Sequence, residues 1–466
     1  MVQLNPEIFR EYDIRGDVGT DLTPEGFFQI GQAFGTELRE RGIERAGVGR
    51  DLRNSSPTLA RGFMEGVLST GVDVDDLGII LTPVLYYALN GLGYPGGAMV
   101  TGSHNPAQMN GLKVAIGTQT LYGDEIQALR RRAEEGPFAQ GSGRLRLADP
   151  IPQYLEDLGN RIRLARRLRV VVDPGHGTAS LFGPRFIRSL GCEVIPLFCD
   201  PDPSFPDHFP DPSNPKNMED LSRAVVESGA DLGVAFDGDA DRLGAVDDRG
   251  HIVTGDELMV LFWREVLGAH PGSPAIIEVK SSKMVWDEVE RLGGKPFFYR
   301  TGHSLIKAKM REVGAVFAGE LSGHFFFGDE FYGYDDALYG AGRLIRIVSR
   351  SEKPLSAITS ALPVRPSTPE VRVDCPDRVK FRIVAEAAKR LGEGHEVITV
   401  DGVRASFPGG WGLIRASNTQ PVLVLRAEAD TVQALYAIER ELSETLSGFP
   451  EVGPVEWPVA AEAPIA

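Results

Sequence analysis

Short apolar runs alternate along most of the chain with longer stretches in which apolar residues recur at helical spacing. This alternation repeats three times before about Pro363, and each time it ends in an apolar run that leads into a polar, glycine-containing loop. Such a pattern is typical of βαβ units, in which helices cover mostly parallel strands. It therefore predicts an α/β protein with three units of related architecture.

The three units share one order of predicted elements, although their sequences do not repeat. In the first unit we expect strands 47–49, 77–81 and 98–100 and helices 56–69 and 84–92. The second has strands 168–172, 193–198 and 232–236 and helices 180–190 and 218–228. The third has strands 275–279, 297–299 and 315–318 and helices 282–292 and 304–313.

The pattern changes after about Pro363, where we expect strands 397–400, 413–414 and 422–425 and helices 381–391 and 431–446. These elements predict a smaller α+β domain. The full prediction is three related α/β domains with mixed sheets, followed by that C-terminal domain. The predicted domain boundaries are 1–149, 150–252, 253–362 and 363–466.

Composition places the chain of 466 residues among globular proteins, since 42% of its residues are hydrophobic and 24% are charged. Its net charge of −16 excludes a general attraction to nucleic acid or anionic membranes. An anionic substrate would therefore need a local basic cluster. The three cysteines lack CxxC spacing, and the start of the chain shows no signal segment, so we expect a cytoplasmic protein without nucleic-acid or membrane partners.

Three polar loops follow the last strands of the three units, at residues 101–106, 237–242 and 319–324. Ligands of open α/β sheets bind beyond the carboxyl ends of strands. If the units face one cleft, these loops form a shared active site. The first loop, TGSHNP, places Ser103 on a tight turn as a candidate nucleophile or phosphate carrier. Taken alone, the motif is more typical of a turn serine that caps backbone groups.

The second loop, DGDADR, holds Asp237, Asp239 and Asp241 at alternate positions. Carboxylates so close together repel each other unless a cation lies between them, and hard oxygen ligands suit Mg²⁺. A calcium EF-hand is excluded, because Arg242 stands where that loop needs glycine and Asp248 where it needs glutamate. A solvated turn remains the alternative reading.

Two further loops offer groups that suit a sugar phosphate. In GELSGH, Glu320 and Ser322 project to the same side of an extended segment and can hold neighbouring sugar hydroxyls. In RASNT, Arg415 is followed by small hydrogen-bond donors, an arrangement that suits a phosphate group. An ordinary turn with an exposed arginine remains open for the latter.

Together these loops resemble the motifs of the α-D-phosphohexomutases, and within them most closely those of the bacterial phosphomannomutase/phosphoglucomutase branch. The matching segments, in order, are FREYDIRG 9–16, TGSHNP 101–106, NGLK 110–113, DGDADR 237–242, TGHSLIK 301–307, GELSGH 319–324 and RASNT 415–419. Leu321 departs from the branch, which usually has methionine there. The exchange preserves side-chain volume, so it bears on substrate preference more than on chemistry.

The resemblance implies four domains around one central cleft and assigns roles to the residues in the motifs. It implies that Ser103 carries a phosphate and that Ser103, Asp237, Asp239 and Asp241 bind Mg²⁺. Glu320 and Ser322 would bind the sugar. The non-reacting phosphate would be held by Arg415, Ser417, Asn418 and Thr419, assisted by Tyr12, Lys280 and His303. The transferring phosphate would be surrounded by Arg15, His104, Lys113, Arg242 and His324 as charge stabilisers or proton-transfer groups. Each of these histidines also fits an ordinary core histidine.

The implied reaction converts a hexose 1-phosphate into the 6-phosphate through a 1,6-bisphosphate, with glucose 1,6-bisphosphate as activator. Hexose phosphates of mannose or glucose are the expected substrates, and the enzyme is expected to be a monomer or homodimer. One alternative is phosphoglucosamine mutase, which usually has glutamine at the position of Leu321. A homologue that binds sugar phosphates without turnover is another. A haloacid-dehalogenase reading of DGDAD is weaker, because the nucleophilic aspartate of that family follows the first strand of its core.

Overall fold

The predicted apolar runs form the central strands of four β-sheets in a computed structural model, which describes residues 2–418 and 420–458. The first sheet contains β1 (Ile14–Asp17), β2 (Arg45–Arg50), β3 (Asp73–Ile79), β4 (Gly96–Val100), β5 (Met109–Ile116), β6 (Gln119–Thr120) and β7 (Leu145–Leu147). Its helices are α1 (Pro24–Glu40), α2 (Ser56–Leu68), α3 (Thr82–Asn90) and α4 (Asp124–Glu135). Its strand order is β1-β5-β4-β2-β3-β7, with β6 beside β5.

The second and third sheets repeat this mixed architecture on a smaller scale. In the second segment lie α5 (Ile151–Arg161), β8 (Arg169–Asp173), α6 (Gly183–Ser189), β9 (Glu193–Pro196), α7 (Glu219–Ser228), β10 (Leu232–Phe236), β11 (Leu243–Asp247) and β12 (Ile252–Val253). In the third lie α8 (Gly255–Ala269), β13 (Pro274–Glu278), α9 (Lys283–Arg291), β14 (Lys295–Tyr299), α10 (His303–Val313), β15 (Phe317–Gly319), β16 (Phe325–Phe327), α11 (Ala337–Arg350) and α12 (Leu355–Thr359). Their strand orders are β12-β11-β10-β8-β9 and β14-β13-β15-β16.

The fourth sheet is antiparallel throughout. Its elements are β17 (Val371–Asp374), α13 (Asp377–Gly392), β18 (Val397–Ile398), β19 (Val403–Phe407), β20 (Gly410–Ala416), β21 (Val422–Ala429) and α14 (Val432–Ser447). The strand order is β17-β21-β20-β19-β18. The predicted fold class, three related α/β domains with mixed sheets and a smaller α+β domain, is thereby confirmed.

One type of connection occurs in all four sheets at the positions of the polar loops. The strands β4, β10 and β15 each lie parallel to a neighbour, and each pairs antiparallel with the strand that follows the loop. In the fourth sheet, β20 pairs antiparallel with β21 across a loop in the same way. We call these connections the site loops; they comprise residues 101–108, 237–242 and 320–324 and, of the described residues in the fourth sheet, 417–418 and 420–421. Each is anchored on both sides by strand pairing, which limits where its described residues lie.

Several predicted elements have different boundaries in the structure, among them one strand of the first domain and one helix of the second. The strand predicted at 77–81 is β3, which covers Asp73–Ile79. Its early part was missed because it carries three aspartates, of which Asp76 binds Arg50 and Asp75 accepts a hydrogen bond from Tyr94. The helix predicted at 180–190 is split into a short 3₁₀ turn, Thr178–Leu181, and α6.

The hydrophobic core joins the second and third domains but leaves the fourth with its own core. Side chains of α8 and α11, among them Trp263 and Leu344, pack in one continuous cluster with Val234 and Phe236 of β10. The fourth domain buries a separate cluster between its sheet and the helices α13 and α14. Within the described residues, no helix is both long enough and apolar enough to cross a membrane.

The helices α1 and α2 of the first domain approach each other closely at three glycines. A Cβ atom built on Gly31, Gly62 or Gly66 would lie 2.2, 2.4 or 2.1 Å from a backbone oxygen of the opposite helix. Real Cβ atoms do not come so near an oxygen, so the glycines permit the observed helix spacing. The backbone oxygen that faces Gly66 belongs to Phe28.

We expect Gly66→Ala to destabilise the first domain by about 1–3 kcal/mol, because the added methyl group must push the two helices apart. Gly159→Ala is the matched control, since Gly159 lies in α5 with no atom within 4 Å of its Cβ position. This control should stabilise the protein by roughly 0.5–1 kcal/mol through helix propensity. Thermal unfolding followed by circular dichroism measures both; a Gly66→Ala variant as stable as the wild type would contradict the close packing.

Candidate functional site

The four site loops meet around one cleft with a volume of about 1020 Å³. The predicted site residues that line it are Tyr12, Arg15, Ser103, His104, Lys113, Asp241, Arg242, Lys280, His303, Glu320, Ser322, His324, Arg415 and Ser417. Asp237 and Asp239 lie beneath its floor and are completely buried. Asn418 instead lines a second, smaller cavity of about 620 Å³, and Thr419 lies outside the described residues. The structure thus brings together all but these last two predicted residues.

Ser103 occupies a strained turn at the bottom of the cleft. Its backbone has φ of 49°, which is rare for a residue other than glycine, and its amide donates to the Thr101 hydroxyl at 2.9 Å. Its Oγ donates a hydrogen bond of 2.8 Å to Oδ2 of Asp237, and Nδ1 of His104 lies 3.3 Å from the same Oγ. The predicted phosphate carrier therefore lies directly against the aspartate loop.

Sequence reasoning missed the pair that holds this turn in place, Asp51 and Arg53. The Arg53 guanidinium is buried and donates to three backbone carbonyls of the Ser103 loop and to that of Met109, which follows it, at 2.5–3.1 Å. Asp51 accepts from the Gly102 amide at 2.9 Å and lies 3.3 Å from Arg53 Nε. Both residues directly follow β2, so the same signal of a strand followed by a polar loop would have found them.

The aspartate loop is shaped by its own first carboxylate. Oδ1 of Asp237 accepts from the amides of Asp241 and Arg242 at 3.0 and 3.1 Å. Ala240, which precedes Asp241 in the loop, has φ of 59°. A Cβ on Gly238 would lie 2.2 Å from the backbone oxygen of Ser103. Glycine is therefore required where the two loops touch.

The three aspartates can hold a metal ion. One carboxylate oxygen from each lies within 4.8 Å of the others. Lys113 of β5 reaches across from the first sheet, and its Nζ lies 2.8 Å from Asp239 Oδ2 and 2.6 Å from Asp241 Oδ2. Oδ1 of Asp239 is buried and has no hydrogen-bond partner among the described residues, whereas Oδ1 of Asp241 lies 3.3 Å from Nε2 of His324. A buried carboxylate oxygen without a partner fits a divalent cation, so the residues present suit this group.

The pKa of Asp237 and the pKa of Asp241 are shifted in opposite directions by burial and neighbouring charges. Burial, reinforced by the charges of Asp241 and Asp239, raises the pKa of Asp237 well above its usual range. Burial also raises the pKa of Asp241, but Lys113 and His324 outweigh it, so that this pKa lies well below its ordinary value. For Lys113 the lowering by burial is outweighed by Asp239 and Asp241, and its pKa rises, so it is a cation at neutral pH.

A second group that meets the geometry of a metal site shares Asp241 with the first. It consists of Asp241, His324 and Asp335. Both ring nitrogens of its histidine already face carboxylates, with Nδ1 2.8 Å from Glu320 Oε2 and Nε2 3.3 Å from Asp241 Oδ1, so neither nitrogen is free to bind a metal. The group of Asp237, Asp239 and Asp241 is therefore the better candidate.

His104 and His324 face the same cleft with different charges. Burial lowers the pKa of His324, but the charge of Asp241 and hydrogen bonds with Asp241 and Glu320 outweigh it and raise this pKa to about 9. Burial, together with Arg242 and Arg15, lowers the pKa of His104 well below its ordinary value. At neutral pH the cleft thus holds a protonated His324 beside a neutral His104.

The loop with Glu320 and Ser322 is held by a buried glutamate that sequence reasoning also missed. Glu278, at the end of β13, accepts from the Leu321 amide at 2.8 Å and from the Thr301 hydroxyl at 2.8 Å. Glu320 in turn accepts from the Gly302 amide at 2.7 Å. These contacts hold the loop open towards the cleft.

Arg415 of β20 closes the opposite side of the cleft. Its guanidinium is paired with Asp401, with Nε and Nη2 at 3.1 and 3.0 Å from the same oxygen, Oδ2. That oxygen also accepts from the Thr301 amide at 3.1 Å, which links the third and fourth domains. The remaining guanidinium nitrogen, Nη1, is not used by this pair.

The side chain of Lys280 contacts two glutamates, and two arginines of the fourth domain bind the backbone around it. Its Nζ lies 3.0 Å from Glu278 and 2.5 Å from Glu370. Arg404 donates to the carbonyls of Val279 and Ser281, and Arg426 donates to the carbonyl of Lys280 itself. The fourth domain therefore positions the backbone on which this lysine stands.

The remaining predicted residues extend the cationic wall of the cleft. Arg15 is paired with Asp13 at 2.5 Å, and Arg242 lies 3.8 Å from Asp211. The ring of Tyr12 packs edge-on against His303 with centroids 5.0 Å apart. Burial raises the pKa of Tyr12 to about 12, so its hydroxyl stays protonated and can donate to a phosphate.

Comparison with known proteins places this cleft in a family. Models of phosphoglucomutase/phosphomannomutase domains match in order: α/β/α domain I at residues 6–140, domain II at 152–250, domain III at 254–365 and the C-terminal domain at 370–445. The phosphomannomutase/phosphoglucomutase of Pseudomonas aeruginosa is 45% identical over 457 residues, which cover 97% of this chain and 98% of that protein. The phosphoglucomutase of Neisseria meningitidis serogroup A is 41% identical over 465 residues, or 98% of this chain and all of that protein.

A solved structure agrees with these sequence matches. The crystal structure of a phosphoglucomutase/phosphomannomutase family protein from Burkholderia thailandensis superposes with a TM-score of 0.91 at 40% identity, and the match covers 98% of this chain and 100% of the other. The matches span the full set of four domains and include every site loop. The chain therefore belongs to the phosphoglucomutase/phosphomannomutase family of phosphohexomutases, which are intramolecular phosphotransferases.

Proposed function

We propose that this phosphohexomutase interconverts hexose 1-phosphates and hexose 6-phosphates, of mannose, glucose or both, through a phosphate carried on Ser103. The observation that carries the proposal is the contact between Ser103 Oγ and Asp237 at 2.8 Å, at the bottom of a cleft lined with basic side chains. Hydrolysis of phosphate monoesters is among the slowest uncatalysed reactions, so a transferable phosphate is safely kept on a protein oxygen. The buried position of Ser103 also keeps bulk water away from it.

The proposed metal is Mg²⁺, held by Asp237, Asp239 and Asp241 together with an oxygen of the phosphate on Ser103. When bound, the ion would neutralise charge on the transferring phosphate and help to align it. The buried Oδ1 of Asp239, which has no hydrogen-bond partner among the described residues, supports this assignment. Lys113 supplies positive charge to the same aspartates from the other side.

In the first transfer, the bond between phosphorus and Ser103 Oγ breaks while a bond forms between phosphorus and the sugar O6. The O6 hydroxyl loses its proton, and Ser103 Oγ gains one. The candidates for moving these protons are Lys113, His104 and His324, while Arg15 and Arg242 stabilise the charge. The product is a 1,6-bisphosphate, which also serves as activator because it can rephosphorylate Ser103.

The bisphosphate must then turn end for end, so that its C1 phosphate is returned to Ser103. A single cradle must therefore bind whichever phosphate is not reacting, without recognising the rest of the sugar. We assign this cradle to Arg415, Ser417, Asn418 and Thr419, with Tyr12, Lys280 and His303, and the sugar hydroxyls to Glu320 and Ser322. Of the first four, Arg415 and Ser417 lie along the cleft, and a movement of the fourth domain would be needed to bring Asn418 to it.

The organisation of the chain is part of the same proposal. We propose domain boundaries at 149/150, 252/253 and 362/363. They are supported by the sheets, which lie within the resulting segments except for Val253, the last residue of β12, which lies one position beyond the second boundary. We also propose a reducing, cytoplasmic compartment, which is supported by three free thiols at Cys192, Cys199 and Cys375.

The function is tested by a coupled assay of the purified enzyme with mannose 1-phosphate, glucose 1-phosphate and glucosamine 1-phosphate, each primed with glucose 1,6-bisphosphate. We expect turnover of mannose or glucose phosphate, with glucosamine phosphate the poorer substrate. Preferred turnover of glucosamine phosphate would identify a phosphoglucosamine mutase. Phosphorylated protein without any turnover would identify a silent homologue.

We expect Ser103→Ala to remove most activity while the fold and substrate binding remain, because only the phosphate carrier is lost. Intact-mass measurement should show a phosphorylated fraction in the wild type that is absent from the variant. Ser213→Ala, a second serine that lines the cleft, is the matched control and should keep its activity. Near-normal turnover of Ser103→Ala would disprove the phosphoserine assignment.

We expect Asp239→Asn to keep the fold, raise the Mg²⁺ concentration needed for half-maximal activity and lower the maximal rate. The substitution is nearly isosteric but removes one of three charges from the proposed metal site. Asp220→Asn, on the surface of α7, controls for a loss of charge elsewhere in the second domain. Undiminished activity of the wild type in excess EDTA, with Asp239→Asn behaving normally, would instead identify a solvated turn.

We expect Arg415→Ala to weaken the binding free energy of mannose phosphate and of glucose phosphate by a similar amount, about 1.5–3 kcal/mol, because a charge-assisted hydrogen bond to phosphate is lost. Arg372→Ala is the matched control, since Arg372 lines the same cleft but its side chain is 55% exposed. The ratio kcat/KM for both substrates is the measurement. A tenfold difference between the two losses would show that Arg415 recognises the sugar.

A further inference from the structure

A buried lysine beside the cleft, Lys307, makes contacts that the proposed reaction does not use. It lies on α10, one turn after His303, and its residue surface is only 3% exposed. Its Nζ lies 2.7 Å from Asp335 Oδ1, 3.1 Å from His303 Nδ1 and 3.8 Å from the centroid of the Tyr86 ring. Lys307 therefore connects a buried carboxylate to a histidine that lines the cleft.

The direct contacts of Lys307 support its charged form. Burial lowers the pKa of Lys307 below its ordinary value, and the completely buried carboxylate of Asp335, which pairs with the ammonium group, opposes this shift. The face of the Tyr86 ring adds a cation–π contact. An uncharged lysine would leave the Asp335 charge buried without its close cationic partner, which is strongly unfavourable.

A charged lysine decides which nitrogen of His303 carries the proton. An ammonium group donates hydrogen bonds and cannot accept them, so Nδ1 of His303 must accept from Lys307. The proton of the neutral ring then lies on Nε2. Two competing contacts of Nδ1 are longer, at 3.5 Å to Ser304 Oγ and at 3.7 Å to Asp335 Oδ2.

We propose that Lys307 is a positioning residue that fixes His303 as the neutral tautomer with its proton on Nε2, so that the ring offers an uncharged hydrogen-bond donor to the cleft. The identity of the acceptor, a phosphate or hydroxyl oxygen of the sugar phosphate, rests on the proposed function; the tautomer does not. No hydrogen bond to Nε2 is formed by the rest of the described chain, so this donor is available to a ligand.

The tautomer has a consequence for a ligand that binds in two orientations. Arg415 and Lys280 already bring two positive charges to the proposed phosphate cradle. An uncharged donor adds directionality there without adding charge, and the ammonium of Lys307 prevents a second proton from reaching Nδ1. Burial and the charges of Lys307 and Lys113 accordingly lower the pKa of His303 well below its ordinary value.

The tautomer is measured directly by NMR of the wild-type enzyme labelled with ¹⁵N-histidine, with the His303 signals assigned by comparison with His303→Gln. We expect Nε2 to show the shift of a protonated nitrogen and Nδ1 that of an unprotonated one, without titration between pH 6 and 9. A proton on Nδ1, or protons on both nitrogens, would overturn the proposal. This measurement requires neither substrate nor turnover.

Lys307→Met tests the cause, with Lys309→Met on the same helix as matched control because Lys309 pairs with Glu312 instead. In Lys307→Met we expect a mixture of tautomers or titration of His303, and a KM for both hexose phosphates raised roughly 3- to 10-fold, the size of one neutral hydrogen bond, with kcat changed less. Lys309→Met should match the wild type. An Nε2–H tautomer that persists unchanged in Lys307→Met would overturn the role of Lys307, and an unchanged KM would overturn the proposed contact with the ligand.

The tautomer of His303 and the proposed function of the enzyme can be disproved separately. If the enzyme did not turn over hexose phosphates, the coupled assay would show it while the NMR result on His303 stood. If Lys307→Met did not fold, the wild-type spectrum alone would still decide the tautomer. A wild-type tautomer other than the expected one would overturn the inference even in a fully active mutase.

Discussion

Compensation of buried negative charge at the centre of the cleft is the constraint on which the rest of the structure depends. Asp237, Asp239 and Asp241 are at most 2% exposed and lie in one short loop. Buried carboxylates destabilise a fold by several kcal/mol each unless cations and hydrogen bonds offset the loss of hydration. Lys113 provides this compensation from β5 of the first sheet. The first and second domains are thus held in register by the same charges that are proposed to bind the metal.

The other domains converge on the same point by similar means. The protonated ring of His324 lies between Asp241 of the second domain and Glu320 of the third. Asp401 of the fourth domain accepts from both Arg415 and the Thr301 amide of the third. Because the contacts of His324 with Asp241 and of Asp401 with Thr301 each bridge two domains, the arrangement of the sheets and the chemistry of the cleft are determined together.

The amino-acid pattern predicted the site residues that directly follow an apolar strand in the sequence. Apolar strands that end in polar loops located Ser103 and the three aspartates, because strand pairing on both sides leaves such loops little freedom. The pattern did not locate Arg53, Glu278 or Lys307. Their roles arise from contacts with backbone or side chains far away in sequence, as in the contacts of Arg53 with the Ser103 loop.

Two other differences between the sequence predictions and the structure have separate causes. The strand β3 was misplaced because its aspartates are satisfied by Arg50 and Tyr94, which no periodicity reveals. The position of Asn418 beside a second cavity follows from the orientation of the fourth domain, and sequence spacing carries no information about that orientation. The resemblance to the family supplied roles for site residues that pattern alone left open.

The antiparallel connection that recurs in all four sheets has an evolutionary consequence. Each of the site loops joins two strands whose pairing is already complete at Val100 and Leu112, Phe236 and Leu243, Gly319 and Phe325, or Ala416 and Leu423. Residues can therefore be exchanged, inserted or deleted in one loop without shifting the register of its sheet or the length of the other three loops. A duplicated gene with this fold can diverge towards a new sugar through one loop at a time, while the phosphate chemistry is inherited intact.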